Sequence, residues 1–139
     1  MAIKKIISFA LFPIMIAACD TANNQHPSAK YEETKTSLKE TEKASPLKFL
    51  KVTGDFHGNL VNQTVVSGAI TNNATLVSYK DIQLQIIFKN KEGAVIEKQK
   101  QLIDDVVAPG STNDFKIKLG HIKDAHTVYV DIVAAVAGK

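Results

Sequence analysis

After Pro46 the chain alternates apolar and polar residues with a period of two, most clearly in Asn113-Asp114-Phe115-Lys116-Ile117-Lys118-Leu119. Phe115, Ile117 and Leu119 fall on one side of an extended chain and the charged residues on the other, the pattern of a strand with one buried and one wet face. Ile82, Leu84, Ile86 and Phe88 alternate with Gln83 and Gln85, and Val128, Val130 and Ile132 with Tyr129 and Asp131. These three segments are expected as the central strands. Residues 47–56, 64–71 (with Gly68 in the middle) and 94–102 carry weaker versions of the pattern, and the polar run Glu97-Lys98-Gln99-Lys100-Gln101 suits an exposed edge. Between them, Asn72-Asn73, Asn90-Lys91-Glu92-Gly93, Pro109-Gly110 and Gly120 supply turn chemistry. With no convincing helical stripe, the economical fold is all-β: a two-layer antiparallel, immunoglobulin-like sandwich of about seven strands over residues 47–139. Alternation places Ile87, Tyr129 and Val133 on the outward side, where they would form an apolar patch in need of cover or a partner.

The start of the chain follows a different rule. A short basic region ends in Lys4-Lys5, an apolar run extends from Ile6 to Ile16, and Ala17-Ala18 precede Cys19. Such lysines stay on the cytoplasmic side while the apolar run enters the translocation machinery, and small residues admit a peptidase to the backbone. Residues 1–18 are therefore expected to be an export signal; the apolar run, about 11 residues, is short for a membrane span. The tetrad Ile16-Ala17-Ala18-Cys19 resembles the bacterial lipobox, an aliphatic residue and two small ones before an acceptor cysteine. The resemblance implies a diacylglyceryl thioether on the Cys19 sulfur, cleavage before Cys19 and an acyl chain, such as palmitate, on the freed amine. Each buried methylene contributes about 0.8 kcal/mol and one chain anchors only marginally, so two or three would hold the protein to membrane lipid. Asp20 resembles the inner-membrane retention signal of enteric bacteria, a rule that does not extend across phyla, so inner and outer membranes both stay open and the domain is expected to face the periplasm.

Residues 19–46 are polar, with prolines at Pro27 and Pro46 and few large apolar side chains, and read as a disordered lipidated tether spanning roughly 30 Å. Ser37 and Glu40 have capping-box spacing, and Glu32, Glu33, Lys39, Glu40 and Lys43 are placed to pair along a transient helix near residues 30–43.

Length and composition allow one core: 139 residues, 45% hydrophobic. The formal charge of +3 falls to about +1 if Lys4 and Lys5 leave with the signal. Arginine is absent and lysines alternate with acids, which argues against nucleic acid as a partner. Cys19 is the single cysteine, so the exported domain must be held by its core without an internal disulfide.

Gly68-x-Ile70-x-Asn72, Tyr79-Lys80-Asp81-Ile82, Asn90-x-x-Gly93, Ala108-Pro109-Gly110 and Asp114-Phe115 are similar to the FxLYD-type domains of bacterial envelope proteins, over most of residues 50–137. The name-giving motif is replaced here by Ile86-Ile87-Phe88-Lys89-Asn90. The resemblance implies an extracytoplasmic sandwich and carries no catalytic residue.

Candidate chemistry is sparse. His121 and His126 with Asp124 between them match no metal-ligand spacing and are read as loop residues, as is His57 beside Gly58. Asp104-Asp105 read as a solvated bend, and no serine occupies a Gly-x-Ser-x-Gly elbow. The expectation is no enzyme, no metal and no cofactor: a membrane-anchored envelope lipoprotein, noncatalytic, acting as a protein-interaction or structural module with an envelope partner. The alternative is a carrier holding a small ligand in a cavity between the sheets.

Overall fold

The computed structural model describes residues 27–59 and 61–139, in the order α1 (Pro27–Ala44), α2 (Pro46–Phe49), β1 (Leu50–Gly58), β2 (Thr64–Asn72), β3 (Tyr79–Lys89), β4 (Val95–Ile103), β5 (Thr112–Leu119) and β6 (Thr127–Ala137). The export signal, Ile16, Ala17, Ala18 and the acceptor Cys19 lie outside the described residues.

Six strands form two antiparallel sheets, ordered β1-β2-β5 and β4-β3-β6. The chain changes sheet after β2, after β4 and after β5, giving an all-β sandwich with immunoglobulin-like exchange of strands between layers. Period-two alternation puts Val66 and Ile70 of β2, Ile82, Leu84, Ile86 and Phe88 of β3, and Phe115, Ile117 and Leu119 of β5 into one shared core. Phe56 meets Phe88 edge to face, with ring centroids 5.6 Å apart, and so ties β1 to the opposite sheet.

Three expectations are corrected. Only β3 of the three strongest patterns is central; β5 and β6 are edge strands, and β2, whose pattern is interrupted by Ser67 and Gly68, is the middle of its sheet. Alternation reports that one face is turned inward, which edge strands share: Phe115, Ile117 and Leu119 are buried and Val128, Val130 and Ile132 partly buried. Residues 46–49 form a single helical turn, so the first strand begins at Leu50 and not at Leu47. The stretch read as a disordered tether is helical from Pro27 to Ala44, and Ser37 and Glu40 lie inside the helix, not at its N-terminus. Eighteen residues make a rod of about 27 Å.

Irregularities in β3 and β6 set which side chains face out. Asp81 has φ 49°, and the pairing steps from Lys80↔Val136 to Gln83↔Ala134, so β3 carries one extra residue there. The register then passes from Gln83↔Ala134 to Leu84↔Ile132, leaving Val133 as the extra residue of β6. Beyond these bulges Tyr79 still points inward opposite Ala137, while Ala134 and Val136 take the outward side.

Gly54, Gly68 and Phe115 stand side by side across β1, β2 and β5. A Cβ on Gly68 would fall on the Thr53 carbonyl oxygen and within 2.8 Å of Phe115 Cζ, whereas one on Gly54 would meet the movable Val130 Cγ2 at 2.7 Å. Gly68→Ala is expected to destabilise the domain by about 3 kcal/mol in urea titrations, and Gly54→Ala by about 1 kcal/mol, because only the second clash can be relieved by a side chain. Asp81→Gly is expected to be near neutral and Asp81→Val to lose about 1–2 kcal/mol in the same assay, since a β-branched residue resists the left-handed conformation.

Candidate interaction surface

The two outer faces of the sandwich differ in kind. On the β1-β2-β5 sheet the outward rows are Lys51, Thr53, Asp55 and His57, then Val65, Ser67, Ala69 and Thr71, then Thr112, Asp114, Lys116 and Lys118. The one large apolar residue among them, Val65, is buried at 2% exposure, and three lysines are set against two aspartates. On the β4-β3-β6 sheet, cross-strand pairing aligns Val95–Lys89–Thr127, Lys98–Ile87–Tyr129, Lys100–Gln85–Asp131 and Leu102–Gln83–Ala134, with Lys80 opposite Val136 at one end. Val95, Leu102, Tyr129 and Val136 are each about half exposed. Four lysines, Lys80, Lys89, Lys98 and Lys100, lie in these rows with one aspartate, Asp131. Asp81 sits in the bulge, 3.7 Å from the Lys80 ammonium.

Lys89 Nζ lies 4.5 Å from the centroid of the Tyr129 ring, an exposed cation–π contact of about 0.5–1 kcal/mol. Ile87 is Tyr129's direct cross-strand neighbour, so these two expected outward residues do meet. Val133 does not join them: it is the unpaired bulge residue, and Ala134 and Val136 take the outward side beyond it. Strict alternation could not find Val136, which needs the bulge, or single out Val95 and Leu102 on a strand read mainly as polar.

At one pole, two of the sheet crossings are locked by buried polar side chains. Asn72, fully buried, donates from Nδ2 to the carbonyls of Val77 at 2.9 Å and Val107 at 3.0 Å, and accepts from the Ala74 amide at 2.8 Å. Glu42, 1% exposed in the last turns of α1, accepts from three successive amides, Thr75 at 2.7 Å, Leu76 at 2.9 Å and Val77 at 3.0 Å. The Tyr79 hydroxyl donates to the Glu42 carbonyl oxygen at 2.8 Å. Burial, and then the Glu42 charge, raise the Tyr79 phenol above its ordinary pKa of 10.0. No local pattern marks Glu42 in the sequence, because its partners are more than thirty positions away.

The residues considered for chemistry are exposed. His57 is on the outer row of β1, His121, Asp124 and His126 are in the β5–β6 loop, and Asp104 and Asp105 follow β4. Among the described residues no group of three or more His, Cys, Asp or Glu side chains converges as a metal site. A cleft of about 280 Å³ lies between the β1–β2 and β5–β6 loops, lined in part by Asn62, Gln63, His121 and Asp124. Asn59 and Gln63, on its wall, already bond each other at 3.0 Å.

Glu42→Ala leaves three amides without their acceptor and is expected to lower stability by about 2–4 kcal/mol in urea titrations, with Glu42→Gln, which keeps one carbonyl oxygen, losing about half as much. For Tyr79 the sign is fixed by the raised folded-state pKa: the folded chain holds the phenolic proton more tightly than the unfolded chain. Its contribution is therefore full below about pH 10 and is lost as pH rises through the folded-state value. Thermal melts are expected to fall more steeply above pH 10.0 in the wild type than in Tyr79→Phe.

Compared with known proteins, the chain matches no family model, and no curated protein matches it significantly. Among solved structures it is similar to the Salmonella enterica trimeric lipoprotein SadB, with TM-score 0.48 and 8% identity over 80% of this chain and 76% of that one. It is also similar to the ApaA protein from Bordetella pertussis, with TM-score 0.35 and 15% identity over 63% of this chain and 89% of that one. At these values the likeness is one of outline and says nothing of function.

Proposed function

We propose that this protein is a noncatalytic lipoprotein of the bacterial cell envelope, anchored through acylated Cys19, and that it works as an interaction module through the outer face of the β4-β3-β6 sheet. The observation that carries the interaction reading is the asymmetry of the two outer faces: Val95, Leu102, Tyr129 and Val136 are exposed on one, while the other exposes no large apolar side chain among its described rows. Exposed apolar side chains gathered on one face and absent from the other suit a surface that is covered for part of its time. The noncatalytic reading is supported by the use made of the buried titratable groups. Glu42 and Tyr79 are engaged in bonds that hold the fold. The anchor reading is supported by the lipobox-like tetrad and by the abrupt change from apolar to polar residues at Cys19.

Detergent-phase partition with metabolic fatty-acid labelling tests the anchor. Wild type is expected in the detergent phase carrying label and lacking residues 1–18, and Cys19→Ala without label; a wild type that carries no label, or equal labelling of the two, would refute the anchor.

A further inference from the structure

From the outer face of the β4-β3-β6 sheet we infer a docking surface for an anionic lipid bilayer. The layout decides between a lipid surface and a folded protein partner. Protein interfaces place apolar side chains at the centre, ring them with polar ones and are depleted in lysine. Here the arrangement is inverted: the middle row is Lys100–Gln85–Asp131, and the apolar residues lie toward the two ends, Val95 with Ile87 and Tyr129 at one and Leu102 with Ala134 and Val136 at the other. Lysines and an exposed tyrosine spread over a sheet face suit the headgroup layer. There an ammonium meets lipid phosphates while its stem lies along apolar side chains, and a tyrosine ring is at home between water and acyl chains.

Charge complementarity points the same way. With Lys80 paired to Asp81, Lys89, Lys98 and Lys100 against Asp131 still leave this face more cationic than the other, and each lysine near an anionic membrane multiplies partitioning by about fivefold. Such a surface is weak by itself, but anchoring the chain at Cys19 would keep it beside the bilayer and raise its effective concentration there. The biological setting therefore rests on the anchored reading, whereas the contact does not.

The two are separated by using the mature chain, residues 19–139, with Cys19→Ala, which has neither the apolar leader nor an acyl acceptor at position 19. Co-sedimentation is measured with vesicles of phosphatidylcholine alone and of equal parts phosphatidylcholine and phosphatidylglycerol. Binding is expected to the mixed vesicles and not to phosphatidylcholine, and to weaken with salt. Lys98→Gln/Lys100→Gln is expected to weaken it roughly 20-fold, and Tyr129→Ser several-fold, while Lys116→Gln/Lys118→Gln on the opposite sheet leaves it unchanged. Circular dichroism melts matching the parent would show that each variant is folded. No binding to the mixed vesicles, equal binding to both kinds, or equal loss from the two lysine pairs would overturn the proposal. So would in-cell crosslinking from position 98 to a protein partner when the vesicles bind nothing. Failure of detergent partition with vesicle binding intact would remove the anchor and leave the surface standing.

Discussion

Wherever the chain leaves one sheet for the other, backbone amides and carbonyls lose their ladder partners inside the protein, and a buried group left unpaired costs about 1–3 kcal/mol. Asn72 and Glu42 answer that demand at the β2–β3 and β4–β5 crossings. Asn72 serves two carbonyls and one amide from separate loops, and Glu42 serves three amides in a row. With these groups satisfied, Val107 can bridge to Tyr79 alongside β3, and the sheets close over the core formed by Ile70, Ile82, Leu84 and Phe88. The outer faces inherit their relative position from this pole.

The strands were legible because burial of one face writes itself into a period of two. The patterns around Ile82–Phe88 and Phe115–Leu119 lie within observed strands, and the turns at Asn90–Gly93 and Pro109-Gly110 are built as their residues suggest, with Gly93 at φ 81° and Gly110 at φ 69°. Strand neighbours were not legible, because alternation carries no information on how many partners a strand has. The outward apolar set was half legible: Ile87 and Tyr129 obey strict alternation, while Val136 becomes outward only after Val133 is spent in a bulge. Glu42 was illegible for a different reason. Its role depends on three amides brought to it by the tertiary fold, and an isolated glutamate on a polar helix looks like any other solvated charge.

The helix shows the same limit. The sequence between Pro27 and Ala44 has polar residues on all sides and so lacks the stripe by which helices usually dock. It is joined to the body through a carboxylate and a backbone carbonyl near its C-terminal end, a mode of attachment that hydrophobic patterning does not detect. The two outer faces repeat the lesson in reverse. Both carry lysines, but only the register across three strands shows which apolar residues stand beside them on one outer face and not on the other.

The grip of Glu42 also has a mechanical side. Its three amides belong to residues 75–77, the stretch that joins the middle strand of one layer to the middle strand of the other. Traction transmitted along the rod would reach the domain at that junction as well as through α2 and the start of β1. Tension would thus be shared between both layers, where a chain entering only through β1 would unzip its outermost strand one rung at a time.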